Sequence, residues 1–270
     1  MIMDLNSVKN SFHTILEGKQ LKDKFAIFVY KLERLFLGNR PVSLIYPVTI
    51  KNTNGIYFCG NNVSALEIAK ESYEKELAGY FKLARGKTFI DVGANIGHYT
   101  IMLANANRDS QIFAIEPEKR NLNILRENAR LNKLRNCTII PLVAYKKRSK
   151  LVLYNDMGGK NEGSYSIVKS SARAKKERVS ADKLDNMSRE FGIKNVGLIK
   201  IDVEGAEEDV VKGALMLLRR YRPNIILEVW DNKRFSSMYD RYFKRLKYRF
   251  KRLDSTNYFL YAFSASNLYV

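Results

Sequence analysis

The chain has 270 residues, enough for one large domain or one domain with an extension. Its 46% hydrophobic and 28% charged residues describe a globular chain and exclude a disordered one. Its 47 Lys and Arg against 28 Asp and Glu leave a net charge of +19. That balance favours an anionic partner (RNA, a membrane surface or an acidic glycan), or simply keeps the protein in solution.

His13 and His98 are the only histidines, which argues against a histidine-built metal site or a Ser/His/Asp triad. Cys59 and Cys137 form no CxxC pair and suit a reducing compartment. No apolar run approaches the roughly eighteen residues of a membrane span. The N-terminus lacks the basic start and apolar core of a signal peptide. The expected location is cytoplasmic, with a peripheral membrane position as the variant.

Residues 1–45 read as helical. Leu21, Phe25, Phe28, Val29, Leu32, Leu35 and Phe36 recur at helical spacing among Lys22, Lys24, Lys31 and Arg34. This face is expected to pack on the main domain, as amphipathic helices in folded proteins do; the alternative is a basic helix resting on a membrane. Val48–Ile50 and Ile56–Phe58, around Asn54-Gly55, read as a hairpin. Ser64, with Glu67 three residues on, looks like a capping box. The helix it would start carries Leu66, Ala69, Tyr73, Leu77 and Phe81 on one face.

After Gly86, strands and helices alternate. Strand 88–92 precedes a helix from about Ile96, and strand 112–116 a helix from about Lys119 bearing Leu122, Leu125 and Ala129. Strand 138–143 leads into a basic, irregular stretch with short strands near Leu151–Tyr154 and Arg178–Ser180. Strand 197–203 feeds a helix with Val210, Ala214 and Leu218. Strand 225–230, a helix near 236–246, and a hairpin of Tyr248–Leu253 with Tyr258–Phe263 complete the chain. Such alternation implies a mostly parallel sheet covered on both faces. The division expected is an N-terminal extension over 1–62 and a main domain over 63–270, with a basic insertion at about 145–180.

Three stretches carry chemistry. In Thr88-Phe89-Ile90-Asp91-Val92-Gly93-Ala94-Asn95-Ile96-Gly97 an apolar strand ends at an acid and two glycines lead into a helix. Gly93 and Gly97 let backbone approach a ligand closely. The spacing is not the G-x-G-x-x-G that cradles a pyrophosphate, and Asp91 would repel one. Glu116, with Pro117 after it, ends the next strand where an acid can bind ribose hydroxyls. Together these fit a nucleoside bearing a small cationic group, S-adenosylmethionine. The third stretch, Leu198-Ile199-Lys200-Ile201-Asp202-Val203-Glu204-Gly205-Ala206-Glu207, clusters acids beyond the carboxyl end of a strand, where ligands of open α/β sheets bind.

Asp202, Glu204 and Glu228 are the candidate catalytic bases; Glu228 can equally be a structural acid paired with a Lys or Arg. A divalent ion held by these three is the less favoured alternative, and the site is read as metal-free. Glu207 reads as a complement to a helix N-terminus. His98 suits a base by residue type alone, and a surface or supporting place is expected for it. Lys200 is assigned to the strand rather than to chemistry.

The combination D-V-G-A-N-I-G-H-Y-T, A-I-E-P and L-I-K-I-D-V-E-G-A-E resembles the FkbM-type methyltransferases over roughly residues 64–230. The resemblance implies a Rossmann-like class I methyltransferase fold: an α/β protein with a mostly parallel seven-stranded sheet, a C-terminal antiparallel hairpin, and here an N-terminal extension of helices and a hairpin. It implies S-adenosylmethionine as methyl donor and O-methylation of a glycan, glycolipid or other hydroxylated metabolite. By position, Asp91, Gly93, Ala94, Asn95 and Gly97 would line the methionine side, Glu116 and Pro117 the ribose. Val143 and Ala144 would lie near the adenine and Asp202 beside the sulfonium.

Two alternatives stand beside it. One is an RNA methyltransferase using the basic insertion (Lys146, Lys147, Arg148, Lys150, Lys160, Lys169, Arg173, Lys175, Lys176, Arg178) and the basic C-terminal segment, where Tyr239, Tyr242, Phe243 and Tyr248 could stack bases. The other is a non-catalytic module that binds S-adenosylmethionine or lipid at an anionic membrane.

Overall fold

The computed structural model describes residues 5–37, 43–155, 165–167 and 175–262. Two helices, α1 (Leu5–Glu17) and α2 (Leu21–Leu37), precede a hairpin of β1 (Val48–Asn52) and β2 (Gly55–Gly60). The hairpin forms, but not around the expected Asn54-Gly55 pair: Asn52 pairs with Gly55, the first residue of β2, and leaves Thr53 and Asn54 as the two turn residues. The face of α2 that meets the protein is the opposite of the one expected. Ala26, Ile27 and Tyr30 are buried with Val48, Ile50 and Tyr57, whereas Leu21, Phe25, Phe28, Leu32, Leu35 and Phe36 face outward. The helix is apolar on two sides, so periodicity alone could not choose between them.

The helix α3 (Val63–Ala69) is capped by Asn62, whose side chain accepts from the Ser64 and Ala65 amides; Ser64 is not the cap. Glu67 pairs with Lys31 and Lys70 instead of closing a capping box. The single long helix expected to reach Phe81 is broken. Lys70 is extended, Glu74 turns left-handed at φ 40°, and a 3-10 helix follows over Lys75–Ala84.

The main domain then alternates as anticipated. Strands β3 (Thr88–Val92), β4 (Ile112–Ile115) and β5 (Cys137–Ile140) are joined by α4 (His98–Ala106) and α5 (Lys119–Leu131). Short strands β6 (Val143–Ala144), β7 (Ser149–Asn155), β8 (Tyr165–Ser166) and β9 (Lys175–Asp182) build a second, four-stranded sheet from the basic insertion. Lys160, Lys169 and Arg173 of that insertion lie outside the described residues. Next come α6 (Leu184–Glu190), which the pattern did not announce, and β10 (Val196–Ile201).

The expected helix through Val210, Ala214 and Leu218 divides at Ala214 into α7 (Glu207–Gly213) and α8 (Leu215–Tyr221). After β11 (Asn224–Glu228), α9 (Asn232–Met238) runs into a π-turn at Tyr239–Phe243, starting earlier than expected. The closing hairpin pairs β12 (Tyr248–Arg252) with β13 (Asn257–Ala262).

The central sheet has seven strands in the order β12-β13-β11-β10-β3-β4-β5. The five from β11 to β5 are parallel, and β13 and β12 close the edge antiparallel. Strands β3 and β10 are buried along their whole length, as central parallel strands must be. On one face Ile90, Val92, Ile199, Ile201, Ile225 and Leu227 pack on α6–α9. On the other, Phe89, Leu198, Ile226 and Phe259 meet α4 and the 3-10 helix. The order reverses between β3 and β10, which makes their carboxyl ends the switch point where this architecture opens a crevice. Among the described residues, no helix is long and apolar enough to cross a membrane.

Candidate active site

Strand alternation builds the site. Asp91, Lys200 and Glu228 each lie two residues beyond Phe89, Leu198 and Ile226, so all three project from the face that carries α4. Pairing register sets Asp91 directly beside Lys200 on the adjacent parallel strand. Lys200 is 2% exposed, and its Nζ lies 3.0 Å from Asp202 Oδ2 and 4.9 Å from the centre of the Tyr99 ring. Burial alone would pull the Lys200 pKa down. Attraction from Asp202, Glu74, Glu228 and Asp91 outweighs it and holds the ammonium above its ordinary value. One cation therefore stands among four carboxylates.

The acids differ in setting. Asp91 Oδ2 accepts from Thr100 Oγ1 at 2.7 Å, and burial lifts its pKa to about 6. Glu228, the last residue of β11, is raised by burial and then by the neighbouring Asp202 charge. Glu74 accepts from the Tyr99 hydroxyl, held there by the left-handed turn at its own position. Sequence reasoning did not single out Glu74, and it named Lys200 only as a strand residue. Lys200 carried one signal, a lysine inside a fully apolar strand, which survives only with partners.

The first turn has the form the glycines predict. Gly93 adopts φ 83°, and a Cβ there would sit 1.7 Å from the Asp202 carbonyl oxygen. Ala94 is buried, Asn95 turns at φ 52°, and Gly97 adopts φ 89° before α4 begins. Glu116 ends up opposite this turn. Its Oε2 accepts from the Asn95 amide at 2.8 Å and its Oε1 from the Glu118 amide at 2.9 Å. Burial still dominates and lifts its pKa to about 8. Pro117 carries the chain round to Glu118, whose carboxylate caps α5 through the Arg120 and Asn121 amides.

Other expected residues lie apart from the cluster. Val143 packs with Leu153, Val179 and Ala181, and Ala144 belongs to the main core, so both side chains are engaged in packing. Glu204 sits half-buried in a left-handed turn at φ 49°. Among the described residues, Asp202, Glu204 and Glu228 do not gather their oxygens into one metal-ligand set. Glu207 accepts from the Gly205 amide at 2.6 Å and pairs with Arg234 at 3.2 Å, a supporting role as expected.

His98 is not on the surface. It is 3% exposed, flanked by the Tyr57 and Tyr73 rings, and its pKa falls to about 4 through burial. A cleft of about 660 Å³ opens between the hairpin at Phe58–Asn61, the start of α5 and Lys176–Glu177. It touches the Glu116 turn through Glu118 and lies away from the carboxylate cluster.

The aromatics of the base-stacking alternative are otherwise occupied. Phe243 and Tyr248 are buried in the main core, and Tyr239 and Tyr242 pack half-buried against it. Their hydroxyls donate to the Tyr248 carbonyl and to Glu208.

The residues present fit S-adenosylmethionine. An acid-rich cluster with one internal cation leaves excess negative charge for an ammonium and a sulfonium, and Glu116 offers a carboxylate to hydroxyls one strand away. The pattern of the Methyltransferase FkbM domain matches residues 91–250, more than half of the chain. Similar curated proteins include Methyltransferase sdnD of Sordaria araneosa, 26% identical over 204 residues that cover 65% of this chain and 78% of that one. Methyltransferase 1 of Beauveria bassiana (strain ARSEF 2860) is 25% identical over 161 residues, covering 53% and 65%.

Among solved structures, methyltransferase FkbM from Methylobacillus flagellatus KT superposes with a TM-score of 0.45 at 13% identity, over 96% of this chain and 59% of that one. Fibrillarin of Aeropyrum pernix, solved with natively bound S-adenosyl-L-methionine, gives 0.44 at 12% identity, over 80% and 93%. Superpositions this loose add no weight; the family match and the strand-end geometry carry the assignment. The chain belongs to the FkbM methyltransferase family, a Rossmann-like enzyme whose methyl donor is S-adenosylmethionine.

Proposed function

We propose that the acceptor is a hydroxyl on a glycan, glycolipid or other hydroxylated metabolite, and that Glu228 takes its proton. Bound in the crevice, S-adenosylmethionine supplies a methyl group already activated by its positive sulfur. Asp91, Ala94, Asn95 and the Gly93 and Gly97 turn would hold its methionine end, Glu116 with Pro117 the ribose, and the Val143–Ala144 backbone would border the adenine. Asp202 would stand beside the sulfonium. A hydroxyl becomes a good nucleophile only as its proton leaves, so a base must be positioned beside the oxygen.

The observation that carries this reading is the environment of Glu228, a carboxyl at a strand end whose pKa is raised by burial and by Asp202. A carboxylate so raised is a stronger base than a solvated one. Lys200 stands beside this carboxyl's neighbour, 3.0 Å from Asp202 Oδ2.

The test combines a variant with product identification. Glu228→Gln should lower kcat on the order of 10²–10⁴-fold while leaving affinity for S-adenosylmethionine within about threefold. Methyl-labelled donor added to a lysate should label lipid, glycan or small-metabolite fractions. Label in RNA alone overturns the hydroxyl-metabolite reading, and an unchanged kcat removes Glu228 as the base.

A further inference from the structure

The outward face of α2 has no counterpart elsewhere on the described surface. Leu21 is 84% exposed, Phe25 53% and Phe36 77%, with Phe28, Leu32 and Leu35 also exposed. Leu21, Phe25, Phe28, Leu32 and Leu35 advance by four, three, four and three residues, which keeps them on one narrow stripe along the helix. Phe12 and Leu16 of the adjoining α1 are exposed as well. Large side chains this exposed and this aligned mark an interaction surface rather than chance exposure.

Charge says what covers it. Lys9 of α1, Lys19 in the link between the helices and Lys22 of α2 are exposed. Their acids are withdrawn. Glu17 is buried against His13 and Asn52, and Asp23 is buried, accepting from the Gln20 and Thr49 amides. Only Glu33 remains half-exposed. The surface is thus apolar with a cationic border, the composition of a helix lying in a lipid headgroup region. A second copy is a poor occupant, because each chain carries +19 and would present the same lysines to its partner. We infer that α1 and α2 dock this enzyme on an anionic lipid bilayer, with the Leu21–Leu35 stripe entering the headgroup layer and the lysines meeting lipid phosphates. The helices lie on the bilayer and do not cross it.

The experiment uses the full chain and sedimentation with phosphatidylcholine vesicles, with and without phosphatidylglycerol. Wild type should sediment with the anionic vesicles and bind neutral ones at least about tenfold more weakly. The variant Leu21→Ser/Phe25→Ser/Phe28→Ser/Leu32→Ser changes only exposed positions, so its affinity for S-adenosylmethionine should be unchanged. Its binding to anionic vesicles should fall at least about tenfold. Wild type left in the supernatant overturns the inference. So does a variant that sediments like wild type, which would assign binding to the general positive charge. A wild-type dimer that the variant converts to monomer overturns it too, by giving the stripe to a second copy.

Discussion

Lys200 and Asp91 sit side by side in the register of two central parallel strands, a cation and an acid both nearly excluded from water. Neither would be tolerated alone, since an unpaired buried charge costs several kcal/mol. Lys200→Met should therefore destabilise the protein by about 3–5 kcal/mol near neutral pH. Asp91 and Glu228, whose folded pKa values burial already raises, would then be raised further above their unfolded values. Their penalty is felt as pH rises and relieved as they protonate. Urea unfolding should show a larger deficit at about pH 7 than at about pH 5; an equal deficit at both would mean that the lysine acts through packing and not charge.

Gly93 and Gly97 share a left-handed backbone but not a neighbour. A Cβ on Gly93 would lie 1.7 Å from a backbone oxygen, at Asp202, and neither strand can yield without losing the Asp202 amide bond to the Val92 carbonyl. A Cβ on Gly97 would lie 2.4 Å from Leu125 Cδ1, the end of a side chain that can rotate. Gly97→Ala should cost about 1–2 kcal/mol for its backbone alone and keep measurable binding of S-adenosylmethionine. Gly93→Ala should fail to fold or lose binding altogether. Equal effects in thermal melts and calorimetry would show that the strand contact at Asp202 is not what fixes the turn.

Much of this was legible beforehand, for reasons that particular residues make plain. Strands ending at Asp91, Glu116 and Glu228 stood out because buried parallel strands are apolar until they reach a site. The outward stripe of α2 was misplaced because a 3.6-residue period reports a face and not what covers it. Lys200 is the strand residue it was read as, in β10, but its ion-pairing setting depends on lateral register with Asp91, which only the folded sheet supplies. Glu74 was hidden by a chain reversal inside what read as one helix. The asparagines within and just after α5 were equally silent. Asn128 accepts from the Phe58 amide and donates to the Ile96 carbonyl, and Asn132 bonds both amide and carbonyl of Ile56. Side chains thus complete the edge of β2 where no strand does.

The two buried acids on the cofactor side also set a pH signature. Asp91 is raised from 3.8 to about 6 and Glu116 from 4.5 to about 8, each mainly by burial. Between about pH 4 and 8 the folded chain therefore holds protons that the unfolded chain has released. Stability from these two groups falls as pH rises through that window. A bound cation near Asp91 and ribose hydroxyls on Glu116 favour the charged carboxylates, so binding should expel protons. Affinity for S-adenosylmethionine should then climb between about pH 6 and 8, by at most about tenfold per pH unit for each proton released. Calorimetry in two buffers of different ionisation heat counts those protons. Glu116→Gln should reduce the count and flatten the upper part of the profile. Binding without proton release and flat from about pH 6 to 8 would mean that Glu116 is already ionised in the free enzyme, its two backbone amide donors having overcome the cost of burial.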